Sequence, residues 1–169
     1  IQLKTDVFSV SYAATAAGIS VSGSSDLPNG TVVGVAVDST AGPTSTVSGS
    51  AWTISNVNAT LSSNVITVWA DNVGDASETT GVTKYDGSGD ITGMVLNTHK
   101  MTLGSNDTGV SLNITNLGQY DTSNDEDIMH SATTTTSTNI DPDNSYADEE
   151  LVIASSTLTI GGSDTLTTH

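Results

Sequence analysis

Apolar residues recur at every second position through most of the first 70 residues, and residues that favour turns cut the runs short. That period is the repeat of a half-buried strand; a helix would repeat every 3.6 residues. Phe8, Val10 and Tyr12 share one face of residues 7–12, and Ile19 and Val21 do the same in the next run. Asp26-Leu27-Pro28-Asn29-Gly30 then supplies the fixed φ of Pro and the positive φ of Asn-Gly that a tight reversal needs. Further strands are expected at 31–38, where Val33, Val35 and Val37 align, at 46–57 with Trp52 and Ile54, and at 65–70, where Val65, Thr67 and Trp69 oppose Ile66, Val68 and Ala70. Gly42-Pro43 separates the first two of these. Short strands at turn-punctuated intervals predict an all-β fold, an antiparallel β-sandwich.

Composition narrows the function classes. The 169 residues carry 19 Asp and Glu against 3 Lys and Arg, a net charge of -16. The only basic side chains are Lys4, Lys84 and Lys100, so no patch can neutralise a run of phosphates, and the field repels polyanions and anionic lipid. Nucleic-acid binding is excluded on that ground. No run approaches the roughly 18 apolar residues of a membrane span. Ser and Thr make up 52 of the 169 residues, a bias expected of a secreted, cell-surface or extracellular β-protein. Cysteine is absent, which removes disulfides, zinc-thiolate sites and thiol catalysis and leaves packing, sheet ladders, ions or neighbouring molecules to stabilise the fold. The start Ile1-Gln2-Leu3-Lys4, with no Met and no signal-peptide pattern, is expected of an already processed chain.

The order Gly18-Ile19-Ser20-Val21-Ser22-Gly23, Asn29-Gly30-Thr31-Val32-Val33, Ala51-Trp52-Thr53-Ile54, then Val65-Ile66-Thr67-Val68-Trp69-Ala70-Asp71-Asn72 resembles the immunoglobulin-like β-sandwich modules of prokaryotic cell-surface adhesins and extracellular filaments. The resemblance covers residues 13–80 and lacks the Gly-rich Asp loop that often precedes the Trp in such modules. It implies an immunoglobulin-like sandwich that serves as a spacer or building block, with no catalytic residues to carry over. A jelly-roll-like sandwich fits the strand pattern as well. Three regions are expected: residues 1–13 as an N-terminal strand, 14–80 as the immunoglobulin-like half, and 81–169 as a second β-rich half of the same compact unit.

The second half changes character. Residues 74–89 are polar and suggest a boundary. Strands are expected at 91–96, 100–103, 110–117, 150–154 and 157–160, with long loops between them. Met101-Thr102-Leu103-Gly104-Ser105-Asn106-Asp107-Thr108 echoes Leu158-Thr159-Ile160-Gly161-Gly162-Ser163-Asp164-Thr165, 57 residues later. Such an echo marks either stacked strand-turn units of a β-solenoid or a duplicated hairpin. Residues 120–146 form the longest irregular stretch, and a loop of that length is usually functional or held by something outside it.

That stretch carries the strongest local chemical signal. Asp121, Ser123, Asp125 and Asp127, and then Asp141, Asp143 and Ser145, place oxygen ligands at alternate positions, with Asp148 close enough to add a carboxylate. Oxygen ligands at that spacing suit Ca2+, whose coordination sphere takes six to eight of them; the bland alternative is a solvated acidic turn. Asp86-Gly87-Ser88-Gly89-Asp90 is a poorer copy. Glycosylation sequons occur at Asn29, Asn58, Asn106 and Asn113, about the number chance supplies when Ser and Thr are this frequent. His99, His130 and His169 fall in no metal or catalytic pattern, and there is no nucleophile elbow, phosphate loop or dinucleotide fingerprint, so no enzyme activity is expected. Trp52 and Trp69 sit in alternating strands and are expected in the core; exposed, they would instead stack on sugar rings.

The leading strand carries a hypothesis of its own. Residues 1–13 are followed by Ala14-Thr15-Ala16-Ala17-Gly18, a small-residue hinge. The strand would either complete its own sheet or extend into a neighbour, inserting Val7 or Phe8, Val10 and Tyr12 into an acceptor groove. The expectation drawn from all of this is a non-enzymatic structural subunit of a prokaryotic extracellular filament or surface layer, a homopolymer built through β-sheet contacts. The alternative is a Ca2+-dependent adhesin or carbohydrate-binding module, with a glycan as partner.

Overall fold

A computed structural model describes residues 18–104, 111–120, 128–134, 137–140, 148–154 and 157–167. The fold is all-β, with packed sheets. In chain order the first strands are β1 (Ile19–Ser25), β2 (Val32–Val37), β3 (Thr40–Ala41), β4 (Ser45–Thr46), β5 (Ala51–Val57), β6 (Val65–Asp71), β7 (Thr79–Lys84), β8 (Ile91–Leu96) and β9 (Lys100–Gly104). There follow β10 (Ser111–Asn113), the one-turn helix α1 (Ile114–Leu117), β11 (His130–Thr134), β12 (Ser137–Ile140), β13 (Glu150–Ala154), β14 (Thr157–Thr159) and β15 (Thr165–Thr167).

Two sheets build the sandwich. The smaller has the order β5-β1-β8, with β1 antiparallel to β5 and parallel to β8. The larger runs β13-β9-β7-β6-β2-β3, with β4 also on β2. One core fills the space between them: Val21, Trp52, Ile54, Ile91, Met94 and Leu96 of the small sheet meet Val33, Val35, Ile66, Val68 and Ala70 of the large one. Each large apolar side chain fully buried there contributes about 1.5–3 kcal/mol. Alternation made this face legible. Trp52 and Trp69 are 2% and 3% exposed, so both belong to the interior, as their strands predicted. The reversal at Asp26–Gly30 is present too: Gly30 has φ +89°, and Thr31 N–H donates to Pro28 O at 3.1 Å.

Strand β6 is buried on both faces, so the large sheet is a middle layer. Its second face covers a separate core of Val65, Val82, Met101, Leu103, Leu112, Ile114, Leu117 and Met129, and a small cluster of Ala36, Trp69 and Ile128. Strand β7 lies within residues 74–89, whose polarity suggested a boundary, and it pairs with β6 on one side and β9 on the other. Its threonines are buried, and two of them have bonded hydroxyls: Thr79 Oγ1 donates to Lys100 O at 3.1 Å, and Thr80 Oγ1 accepts from Met129 N–H at 3.1 Å.

The second half adds pairings of another kind. Strands β7, β9 and β13 are parallel neighbours, as are β10 with β14 and β12 with β15. All three ladders surround the second core, which Leu151, Leu158 and Leu166 of the last strands also touch. Strands β9, β10 and β12 thus supply one layer of a solenoid-like stack and β13, β14 and β15 the next. The stacking pairs Met101 with Leu151 and Leu112 with Leu158, a register unlike that of the echo between 101–108 and 158–165.

Candidate functional site

The expected functional residues are scattered. Val7, Phe8, Val10 and Tyr12 lie outside the described residues, as do Asp121, Ser123, Asp125, Asp127, Asp141, Asp143, Ser145 and Asn106. Asp148 is described. Its carboxylate faces His99 Nδ1 at 2.8 Å, and that hydrogen bond holds its pKa below the usual carboxylate range. Lys100 pairs with Glu150 close by, and that contact raises the ammonium's pKa. Among the described residues no three His, Asp or Glu side chains gather as a metal site. In the 86–90 loop, Asp86 Oδ1 accepts from Ser88 N–H and Oγ at 2.8 and 3.1 Å and closes its own turn, while Asp90 Oδ1 accepts from Ser20 N–H at 2.8 Å and ties the loop to β1.

The sequons differ in what holds their amides. Asn29 Oδ1 accepts from Gly49 N–H at 2.8 Å, and Asn113 caps α1 in a reciprocal box with Asn116. Asn58 is exposed and lines a cleft of about 410 Å³ with Asp38, Thr40, Pro43, Asn56 and Asn64. Within that cleft Asp38 accepts from Asn64 Nδ2 and from Val65 N–H, which fixes the turn that enters β6.

A site that sequence reasoning missed lies at the end of the stack. Strand β13 pairs with β9, and among the described residues nothing pairs with its other edge; the same holds for β14 and β15. Two apolar columns rise to that edge. In one, Val82 and Leu103 are 0% exposed but Ile153 is 49% exposed. In the other, buried Thr80 and Met101 lead to half-buried Leu151. Among the described residues, the end turn therefore has no covering strand of the kind that each earlier one has.

Gly104 explains how β13 comes so close, since a Cβ there would stand 1.9 Å from Ala154 O. Edge strands are commonly guarded by Lys, Pro or a bulge. Between Leu151 and Ala154 the edge has none of these, and its pairing with β9 runs without a register shift. The only sequence signal for this site was the apolar run Leu151-Val152-Ile153, which does not say which neighbour it lacks.

The fold defines an all-β protein of packed sheets with an added parallel stack. Comparison with protein-family models, with curated proteins and with solved structures finds no match. No helix among the described residues is long and apolar enough to cross a membrane.

Proposed function

We propose that this chain is a structural, non-enzymatic subunit of a prokaryotic extracellular filament or surface layer, joined to its neighbours by β-sheet contacts. The observation that carries this reading is the unguarded end of the parallel stack, where β13, β14 and β15 leave ladder groups unpaired among the described residues. Unpaired N–H and C=O groups in a row are a template for another chain, and half-covered apolar columns add a hydrophobic reason to occupy it. With no cysteine, association takes over stabilisation that disulfides provide in other extracellular domains. Donor-strand exchange by residues 1–13 is one form such contacts take, and Ca2+ on the acidic stretches would stiffen the loops between them.

Negative-stain electron microscopy of the purified chain, with Ca2+ and with chelator, tests this reading. Ordered polymers or sheets are expected; monodisperse particles under both conditions at all concentrations would refute it. A Ca2+-dependent adhesin or carbohydrate-binding module is the second reading. The cleft favours it by offering the exposed amides of Asn56 and Asn58, but the burial of Trp52 and Trp69 denies it their indoles as stacking platforms.

A further inference from the structure

We infer that the edge of β13 that no described residue pairs with is an interface between two copies of this chain, paired antiparallel about a two-fold axis at Val152. The inference rests on the assembly reading above and names the surface and register of one contact.

The backbone sets the geometry first. Glu150 N–H donates to His99 O at 3.0 Å, toward β9. Backbone groups alternate in direction along a strand, so those of Leu151 and Ile153 point to the open side. A two-fold at Val152 sets Leu151 of one copy opposite Ile153 of the other. These are the residues whose outward groups can exchange hydrogen bonds, and Val152 meets its own copy in the intervening non-bonded pair.

Side chains choose this register over its neighbours. Leu151 and Ile153 lie in the columns of Met101 and Leu103, which are fully buried one strand earlier. Across the two-fold, the column Val82-Leu103-Ile153 continues into Leu151 and Met101 of the second copy, and the reciprocal column does the same. Each copy thus covers the apolar end of the other, as an isologous contact requires.

Charge agrees with this choice. At Val152 the axis sets Glu150 opposite Ala154, and Glu150 already has Lys100 as its partner. Moving the axis to Leu151 would set Glu149 opposite Ile153 and Glu150 opposite Val152, pressing carboxylates onto apolar side chains. Moving it to Ile153 would set Val152 opposite Ala154 and take from Leu151 its apolar partner. For a chain of net charge -16, a register that brings no acidic residues face to face adds least to the repulsion between two copies.

The absence of native cysteine makes the test clean. In a non-hydrogen-bonded antiparallel pair the Cα atoms are about 4.5 Å apart, within disulfide range. Val152→Cys should therefore form a disulfide-linked dimer under mild oxidation. Ala154→Cys should not, because two residues from the axis on either side its Cα atoms stand about 14 Å apart. We expect about tenfold more linked dimer from Val152→Cys than from Ala154→Cys, reflecting that difference in reach. The native chain should also sediment with the mass of two copies or a multiple of two.

Equal cross-linking by the two variants, or a native chain that sediments as one copy at about 100 µM, a thousandfold above the dissociation constant of a modest interface, would overturn the inference. Polymers seen by microscopy without preferential Val152→Cys linkage would remove this contact and leave the structural role standing. Linkage without polymers would do the reverse.

Discussion

Gly23→Ala is expected to destabilise the chain by about 4 kcal/mol, at the upper end for a single substitution. A Cβ at Gly23 would lie 1.9 Å from Met94 O and 2.9 Å from the Trp52 ring. The first contact is with the backbone of the parallel neighbour β8, so no rotamer relieves it. Either β1 and β8 separate, which breaks their ladder, or the small sheet lifts from the core that Trp52, Ile54 and Met94 share with β2 and β6. Gly74→Ala is the matched control, because a Cβ there meets nothing within 4 Å. Urea denaturation of the three proteins should show a large drop in midpoint for Gly23→Ala and a shift within about 0.5 kcal/mol for Gly74→Ala.

The second large effect is a loss of stability in mild acid that originates at one histidine. His130 is 2% exposed, its Nε2 lies 2.7 Å from Leu117 O, and Tyr120 meets it edge-on with ring centroids 5.2 Å apart. Burial lowers its pKa from 6.5 to about 4. The unfolded chain therefore takes up a proton at pH values where the folded one does not, and between pH 6.5 and about 4 stability rises with pH. The contribution is fully present above pH 6.5 and is lost progressively as pH falls to about 4. At about 1.4 kcal/mol for each pH unit crossed, it amounts to about 3 kcal/mol.

The many carboxylates titrate in the same region, so the informative quantity is a difference. His130→Gln keeps a donor for Leu117 O and removes the titration. Its stability relative to the native chain should improve by about 3 kcal/mol between pH 7 and pH 4, measured by denaturant unfolding at each pH. A constant difference would show that His130 is protonated without penalty inside the fold.

The two halves of the chain differ in how much of this could be read from sequence. Strands β1, β2, β5 and β6 follow from alternation, because each has apolar residues facing one core, and β6 showed both its faces in Val65, Thr67 and Trp69 against Ile66, Val68 and Ala70. Strand β7 was obscured because hydropathy reads Thr79, Thr80 and Thr83 as polar. In place, their methyls pack, while Thr79 and Thr80 have hydroxyl partners on neighbouring elements.

The parallel stack was obscured for another reason. Partners such as Lys100 with Glu150, Leu112 with Leu158 and Thr138 with Leu166 lie at unequal separations, so no fixed repeat marks them. The Thr-Gly-Asp-Thr echo pointed to a different alignment. The open edge was illegible for the same reason: which side of 150–154 stays free depends on where β9 lies, and that is a long-range fact.

Hydrogen exchange at the backbone amides of Leu151 and Ile153, followed as the protein concentration is raised, tests most directly whether another copy closes this edge. Both amides point away from β9, so they should exchange freely at high dilution and become protected as copies associate, while the amide of Val152, bonded within the protomer, stays protected throughout. Rapid exchange at Leu151 and Ile153 at every concentration, or protection that dilution never removes, would contradict closure of the sheet by a neighbouring molecule.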